Sequence, residues 1–262
     1  DNPDIIHVAN KVDPINDIEV IETELALADL DTVDKRLDKV QRSVRVLGGE
    51  QKRLAEIELS ALAKVKEALE HGKPARSVPL TEDEEIEVRK CFLLTKKPQI
   101  LVCNTDEDGI HNGNKYIDAV QKRAQQEGME AVIICGKFEA ELAELETQEE
   151  KLAFLAELGL KESGLSALIH SAYRLLGLRT FFTAGSDECR AWTIRAGDKA
   201  PQAAGVIHTD FEKGFIKAEV YSFSDIDAVG SEAALRSAGK IRTEGREYVV
   251  QDGDVMFFKF NV

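Results

Sequence analysis

Between residues 17 and 47, apolar side chains recur at alternating spacings of three and four. Ile18, Ile21, Leu25 and Ala28 open the series, and Leu30, Val33, Leu37, Val40, Val44 and Leu47 continue it. That alternation is the seam of a coiled coil. Gly48-Gly49 is expected to stop the helix, and a second stripe through Leu54, Ile57, Ala61, Val65 and Leu69 predicts its antiparallel return. Pro74 and Pro79 end the arm, and Thr81 with Glu84 fits a capping box opening a short helix to about residue 91. The apolar run KPQILVCN (97–104) then reads as a strand buried in a parallel sheet. A helix over 116–126 and a strand AVIICG (131–136) follow. Residues 139–157 read as acidic helix with a break and new cap at 147–150, and 164–177 as an amphipathic helix. Strand–helix–strand–helix order predicts an α/β unit with a parallel sheet. Ahead of the arm, IIHVA (5–9) reads as a strand that KVDP (11–14) breaks, so residues 1–16 look like a domain already under way. After residue 178 the texture changes to short β runs, RTFFTAG, CRAWTIRAG, GFIKAEVYSF, REYVVQ and DVMFFKF, divided by turn pairs. This predicts a small α+β domain over 178–262.

Composition narrows the function classes. A chain of 262 residues is expected to hold two domains or three small ones. Lys and Arg number 34 against 48 Asp and Glu, a formal charge of −14 with pI near 4.9. That argues against a nucleic-acid or anionic-membrane binder over the whole surface, though not against a local basic patch. No apolar run approaches the roughly 18–20 residues that span a bilayer, so no membrane partner is expected and a cytoplasmic location is. Cys91, Cys103, Cys135 and Cys189 contain no CxxC pair and sit among apolar neighbours, which reads as reduced, mostly buried thiols. Five scattered histidines without HExxH give no metal site within the chain.

The sharpest local signal is Asn104-Thr105-Asp106-Glu107, directly after a strand. P-loop GTPases end a strand in Asn-Lys-x-Asp, where Asn braces the loop and the Asp carboxylate accepts two hydrogens from guanine. Here Thr105 stands at the Lys position and Glu107 at the Asp position, which puts guanine preference in doubt. Cys135-Gly136-Lys137 follows the next strand, where a second base-side loop belongs, its backbone N–H groups toward a base and the Lys137 stem over the ring. Each segment alone is equally readable as a plain turn.

Longer segments carry a resemblance. Residues 18–31 (IEVIETELALADLD), the KVDP before them, 196–220 (AGDKAPQAAGVIHTDFEKGFIKAEV) and the ending VQDGDVMFFKFNV (250–262) resemble the YchF/Obg-like ATPase family, and the likeness runs along the whole chain. It implies a partial P-loop G domain (1–16 and 96–177), an inserted helical coiled-coil hairpin (17–95) and a C-terminal TGS domain of β-grasp fold (178–262). It also implies a hydrolase associated with ribosomes, with ATP as the preferred nucleotide and GTP as the second candidate, and a base pocket at Asn104, Thr105, Glu107, Cys135, Gly136 and Lys137. The backbone of Thr105 would touch adenine. The phosphate loop G-x-x-x-x-G-K-[ST] does not occur in the 262 residues, since Gly72-Lys73 precedes Pro and Gly136-Lys137 precedes Phe. The Mg²⁺ ligands and hydrolytic residues are therefore expected upstream of residue 1, and this piece alone is expected not to hydrolyse ATP.

The arm suggests a second contact. Residues 34–53 hold seven basic residues, among them Arg36, Lys39, Arg42, Arg45, Lys52 and Arg53, against three acidic ones, a net +4. A basic projection on an acidic body could find ribosomal RNA phosphates, or be only a solvated coiled-coil face. The alternative function is a non-enzymatic RNA- or ribosome-binding adaptor acting through this tip and the C-terminal domain. A monomer that does not bind DNA is expected. Residues 178–262 carry −2, with Lys213, Lys217, Arg242 and Arg246 as a candidate patch. Trp192 and Phe211 read as core, His208 as a structural hydrogen bonder, and 139–150 as a solvated acidic face.

Overall fold

The computed structural model describes residues 12–185 and 188–261. The strand expected over 5–9 lies outside them. The chain divides into two compact units, residues 1–167 and 168–262.

In the first unit, α1 (Pro14–Val44) and α2 (Gly49–Glu70) form the antiparallel arm. Asp13 caps α1, accepting the Asn16 N–H, and Pro14 occupies the first turn, where no donor is needed. KVDP therefore starts the helix three residues before the expected 17. At the tip, α1 ends before the glycines: Gly48 is the N-cap of α2 and Gly49 takes a φ of +57°, open to glycine without strain. The Gly-Gly pair opens the second helix rather than stopping the first.

The buried line follows the expected seam through Val33, Leu37 and Val40 and through Ala61, Val65 and Leu69. Elsewhere it shifts by one residue. Ala26 and Asp29 point inward in place of Leu25 and Ala28, leaving Ile21 exposed, and Ala55 and Glu58 replace Leu54 and Ile57. Two charged seam residues explain this, because each has a partner. Glu58 is ion-paired with Arg36 across the arm, and the Glu58 hydrogen bond raises the guanidinium above its usual range. Asp29 accepts the Leu94 N–H at 2.8 Å, the Thr95 N–H at 2.7 Å and the Thr95 hydroxyl at 2.7 Å. Thr95 Oγ1 in turn accepts the Ala75 N–H at 2.9 Å. One side chain of α1 thus ties down both the segment leaving α2 and the segment leading to the sheet.

A short 3-10 turn (Ala75–Ser77) and α3 (Glu82–Arg89) close the arm's base. The Thr81–Glu84 capping box forms, and Glu84 also accepts from Lys64 Nζ at 2.7 and 2.8 Å and from Ser60 Oγ at 3.1 Å. The Lys64 hydrogen bond, with the Thr81 N–H, holds the Glu84 carboxyl at about 2.

Strand β1 (Ile100–Asn104) leads through α4 (Glu107–Asn112) and α5 (Lys115–Glu127) to β2 (Glu130–Ile134). The two strands pair in parallel, Asn104 opposite Ile134. The run expected to be fully buried is only half covered, with Val102 exposed. Next come α6 (Gly136–Glu144), α7 (Gln148–Glu157) and α8 (Gly164–Leu175), with the expected cap formed by Thr147 and Glu150. Glu139 is no solvated bystander, for its carboxylate accepts the Gly164 N–H at 2.7 Å.

The second unit holds β3 (Leu178–Ala184), β4 (Cys189–Arg195), α9 (Ala200–Ile207), α10 (Thr209–Lys213), β5 (Phe215–Ser222), α11 (Phe223–Val229), α12 (Glu232–Ser237), β6 (Arg242–Glu244) and β7 (Asp254–Phe260). The sheet order is β4-β3-β7-β5-β6, with β3 and β7 parallel and the other pairs antiparallel. That order is the β-grasp arrangement. Phe181, Phe215, Val220 and Met256 pack against Ala200, Ala203 and Ala204 of α9. REYVVQ forms no sheet strand. Val249 bridges only to Lys199, and Tyr248 OH donates to the buried Asp254 carboxylate at 2.7 Å. Trp192 is partly buried with its indole N–H on Thr183, Phe211 stacks on Phe260 with centroids 3.8 Å apart, and His208 caps α10. Among the cysteines, Cys135 is buried and Cys91 and Cys103 are half-buried, but Cys189 is exposed.

If Asp29 staples the arm, Asp29→Ala should cost the first unit roughly 3 kcal/mol or more in urea unfolding, since buried donors lose a charged acceptor. Asp29→Asn, which keeps one acceptor oxygen, should lose less. A change under about 0.5 kcal/mol for Asp29→Ala would contradict the role.

Candidate functional site: a cleft at the ends of two parallel strands

Parallel pairing of β1 and β2 places two chain reversals side by side. Asn104 ends one strand, and its carboxamide oxygen accepts the Gly136 N–H at 3.0 Å. The Thr105 N–H reaches back to the Ile134 carbonyl at 2.8 Å. Two loops 32 residues apart in sequence are thus clasped into one rim.

Below the rim, Cys135 is buried with Phe138, Leu142 and Leu155, and Ile110 of α4 packs against this cluster. Phe138 stacks on Phe154 at 5.1 Å. On the other side, Asp106 caps α4 through the Gly109 N–H at 2.9 Å, and Asn114 caps α5 through the N–H groups of Tyr116 and Ile117. Asn114 Nδ2 also lies 3.4 Å from Thr105 Oγ1. Gly109 is required by close approach: a Cβ there would stand 2.1 Å from Thr105 Oγ1.

The rim borders a cleft of about 900 Å³. All six expected base-pocket residues line it, joined by Asp106, Asp108, Asn114 and Tyr116, and by Pro14, Asp17 and Ile18 from the start of α1. Apolar walls with a few convergent polar groups are the general make-up of a small-molecule pocket. Across the mouth, Lys137 Nζ lies 2.9 Å from Glu107 Oε1 and 3.7 Å from Glu141 Oε1. The Glu107 hydrogen bond raises the ammonium above its ordinary range. Burial pushes the Cys103 thiol up, which leaves it a poor nucleophile.

Asn114 and Gly109 escaped the sequence reading. Asn114 carries the common N-cap signature ahead of a helical run, which gave no hint of a cleft, and the Gly109–Thr105 approach is visible only in three dimensions. Of the cleft wall at the start of α1, the apolar spacing places Asp17 and Ile18 in the arm and Pro14 in the segment before it.

The expected RNA-contact residues fall into two groups. Arg36 is committed to Glu58, Arg53 to Glu50 at 2.8 Å, and Lys52 lies 3.9 Å from Glu56. Among the described residues, Lys39, Arg42 and Arg45 are exposed and make no ion pair, although Arg42 Nε donates to the Asp38 carbonyl. On the second unit, Arg242 and Arg246 are engaged with Tyr248 and with the Phe215 carbonyl, while Lys213 and Lys217 are exposed.

Comparison with known proteins places this architecture. The ribosome-binding ATPase YchF of Bacillus subtilis is 50% identical over 260 residues, 98% of this chain and 70% of that protein. The chain belongs to the YchF/Obg-like ATPase family. The YchF-GTPase_C family model, described as a protein of unknown function, matches residues 178–261. Obg-like ATPase 1 of Rattus norvegicus is 44% identical over 266 residues, all of this chain and 66% of that protein. The solved Schizosaccharomyces pombe YchF GTPase superposes with a TM-score of 0.83 at 36% identity, covering 99% of this chain and 69% of that one. In this chain the family-like segment 18–31 lies within α1, with Ile18 at the cleft wall and Asp29 near its other end.

Gly109→Ala is expected to lower stability by about 1–3 kcal/mol through overpacking against Thr105. Thr105→Ala in the same chain should recover part of that loss in a double-mutant cycle followed by thermal unfolding. Strict additivity of the two changes would contradict the contact.

Proposed function

We propose that this chain is the arm-bearing and C-terminal part of a ribosome-associated, ATP-binding hydrolase of the YchF type, acting in the cytoplasm. The observation that carries the nucleotide half is the Asn104–Gly136 clasp, which holds two strand-end loops around one cleft. The base would lie between the loops, against the Thr105 backbone and beneath the Lys137 stem, with Glu107 and Cys135 to either side. Glu107 in place of Asp favours ATP over GTP, because the longer carboxylate is not set to bracket guanine's N1 and N2 donors.

The domain reading belongs to the same proposal. Residues 1–16 and 96–177 are segments of one P-loop G domain, 17–95 is the arm inserted into it, and 178–262 is a TGS domain. Relatives named ribosome-binding ATPase YchF and Obg-like ATPase 1 support the ATP and ribosome halves together. Mg²⁺ would accompany ATP, but among the described residues no group of three or more His, Cys, Asp or Glu is arranged to hold a metal ion. No hydrolytic step is assigned to residues of this chain.

The arm supplies the ribosome contact. Lys39, Arg42 and Arg45 lie near the end of a 31-residue helix whose first turn lines the cleft. At 1.5 Å per residue that helix is about 45 Å long, so one rigid rod joins a cleft wall to a basic tip. The same tip would serve a non-enzymatic adaptor, the second reading.

Ribosome co-sedimentation of the intact protein tests this. Arg42→Glu with Arg45→Glu should cut the pelleted fraction severalfold and flatten the log–log salt slope by roughly two. Equal pelleting of variant and wild type would remove the tip from the interface. Pelleting indifferent to ATP would favour the adaptor.

A further inference from the structure

We propose that the outer edge of β4 docks an extended acidic segment of a partner protein, which adds to the sheet of the second unit as a further strand.

The ladder shows which backbone groups of β4 are free. At one end the Gly185 N–H donates to the Glu188 carbonyl at 2.9 Å, and at the other the Ala196 N–H donates to the Gly177 carbonyl at 2.7 Å. Even-numbered residues of the strand therefore bond toward β3. The two-residue period then turns the N–H and C=O groups of Cys189, Ala191 and Thr193 away from the sheet. The direction of Arg195 agrees: its N–H reaches the Asp198 carboxylate at 2.9 Å, and its carbonyl accepts the Asp198 N–H at 3.0 Å. That turn closes one end of the row and leaves the three residues before it open. Their side chains are small and exposed, so a second backbone can approach closely.

Sheet edges are normally blunted by shortness, a bulge, a proline or an edge lysine. The opposite edge follows this rule, since β6 has 3 residues and its partner β5 carries a register shift between Phe215 and Lys217. β4 has none of these guards. It runs for 7 residues, contains neither Pro nor Lys, and pairs with β3 in unbroken register.

Charge identifies the occupant. The protein carries −14, yet β4 holds two arginines and no acidic residue. Arg190 and Arg195 are exposed and make no ion pair among the described residues. Arg190 lies 4.2 Å over the Trp192 ring, and that ring is itself fixed through its N–H to Thr183. The stack holds the guanidinium in place with its fork free for a carboxylate. The two arginines stand on opposite faces, five positions apart, a span of about 17 Å along a strand. An added strand with one carboxylate on each face meets both. A second copy of β4 would set arginine-bearing strands against each other. A single-stranded RNA would leave the outward carbonyls unmatched, because its phosphates only accept, whereas a polypeptide supplies N–H and C=O in alternation.

Binding of a fluorescein-labelled nine-residue peptide to the intact protein tests this, with Glu at its second and seventh positions and Val or Thr elsewhere. Amide exchange is expected to slow at Ala191 and Thr193 and to stay unchanged at Arg190, Trp192 and Ile194. Ala191→Pro, at an outward N–H where proline is tolerated, should weaken binding roughly tenfold, as one rung and the strand approach are lost. Arg190→Glu with Arg195→Glu keeps the backbone edge and should reverse the preference toward the same peptide carrying Lys in place of Glu. Equal binding of the Glu and Lys peptides to the wild type would overturn the proposal. So would slow exchange at Ala191 and Thr193 before peptide is added, which means an edge already covered. Tighter binding of a uridine nonanucleotide that survives Ala191→Pro would assign the surface to RNA instead.

Discussion

The arm and the sheet of the first unit meet at the Asp29 carboxylate. It sits on the apolar seam of a long helix, where a charge is tolerated only with full hydrogen bonding. Leu94, Thr95 and, through Thr95, Ala75 provide that bonding. Both the exit from α2 and the approach to β1 are thereby pinned to one point on α1. The same end of the helix is tied sideways to α5, since Arg123 pairs with Glu19 and Glu22, and Glu22 also faces Arg76 at 3.6 Å. Polar clamps thus fix where α1 starts relative to β1 and α5, and so fix one wall of the cleft.

The cleft itself follows from parallel strand pairing. Two parallel strands must deliver their C-terminal ends to the same side, and the loops leaving them form the crevice where α/β sheets bind ligands. Asn104 converts proximity into a fixed rim by bonding to Gly136. Gly109 allows α4 to fold tightly over Thr105. The Phe138–Phe154 stack and buried Cys135 support the rim from beneath. None of these contacts involves phosphate chemistry; under the proposed function they would supply the base-reading side of a nucleotide site.

Much of this was legible in the residues because the signals are local. Heptad spacing and the two capping boxes at Thr81 and Thr147 concern neighbours within a turn or two; both boxes form, and the central part of the seam is buried as expected. The failures are non-local. A count of apolar positions could not place Asp29 or Glu58 on the seam, because their partners lie 66 and 22 residues away. REYVVQ has strand-like residues, yet Tyr248 is turned to Asp254 and Val249 meets Lys199, so no ladder forms. The two cleft loops were visible because each follows a strand. The Lys137–Glu107 pairing was not, since it joins residues 30 apart through the fold alone.

Amide hydrogen exchange on the intact protein, with and without ADP, tests the central claim that one clasped rim reads the base. The account expects exchange to slow at residues 104–109 and 135–138 together, with α1 near residues 14–18 slowing as the cleft wall orders. Protection confined to residues 178–261, or protection of only one of the two loops, would contradict it.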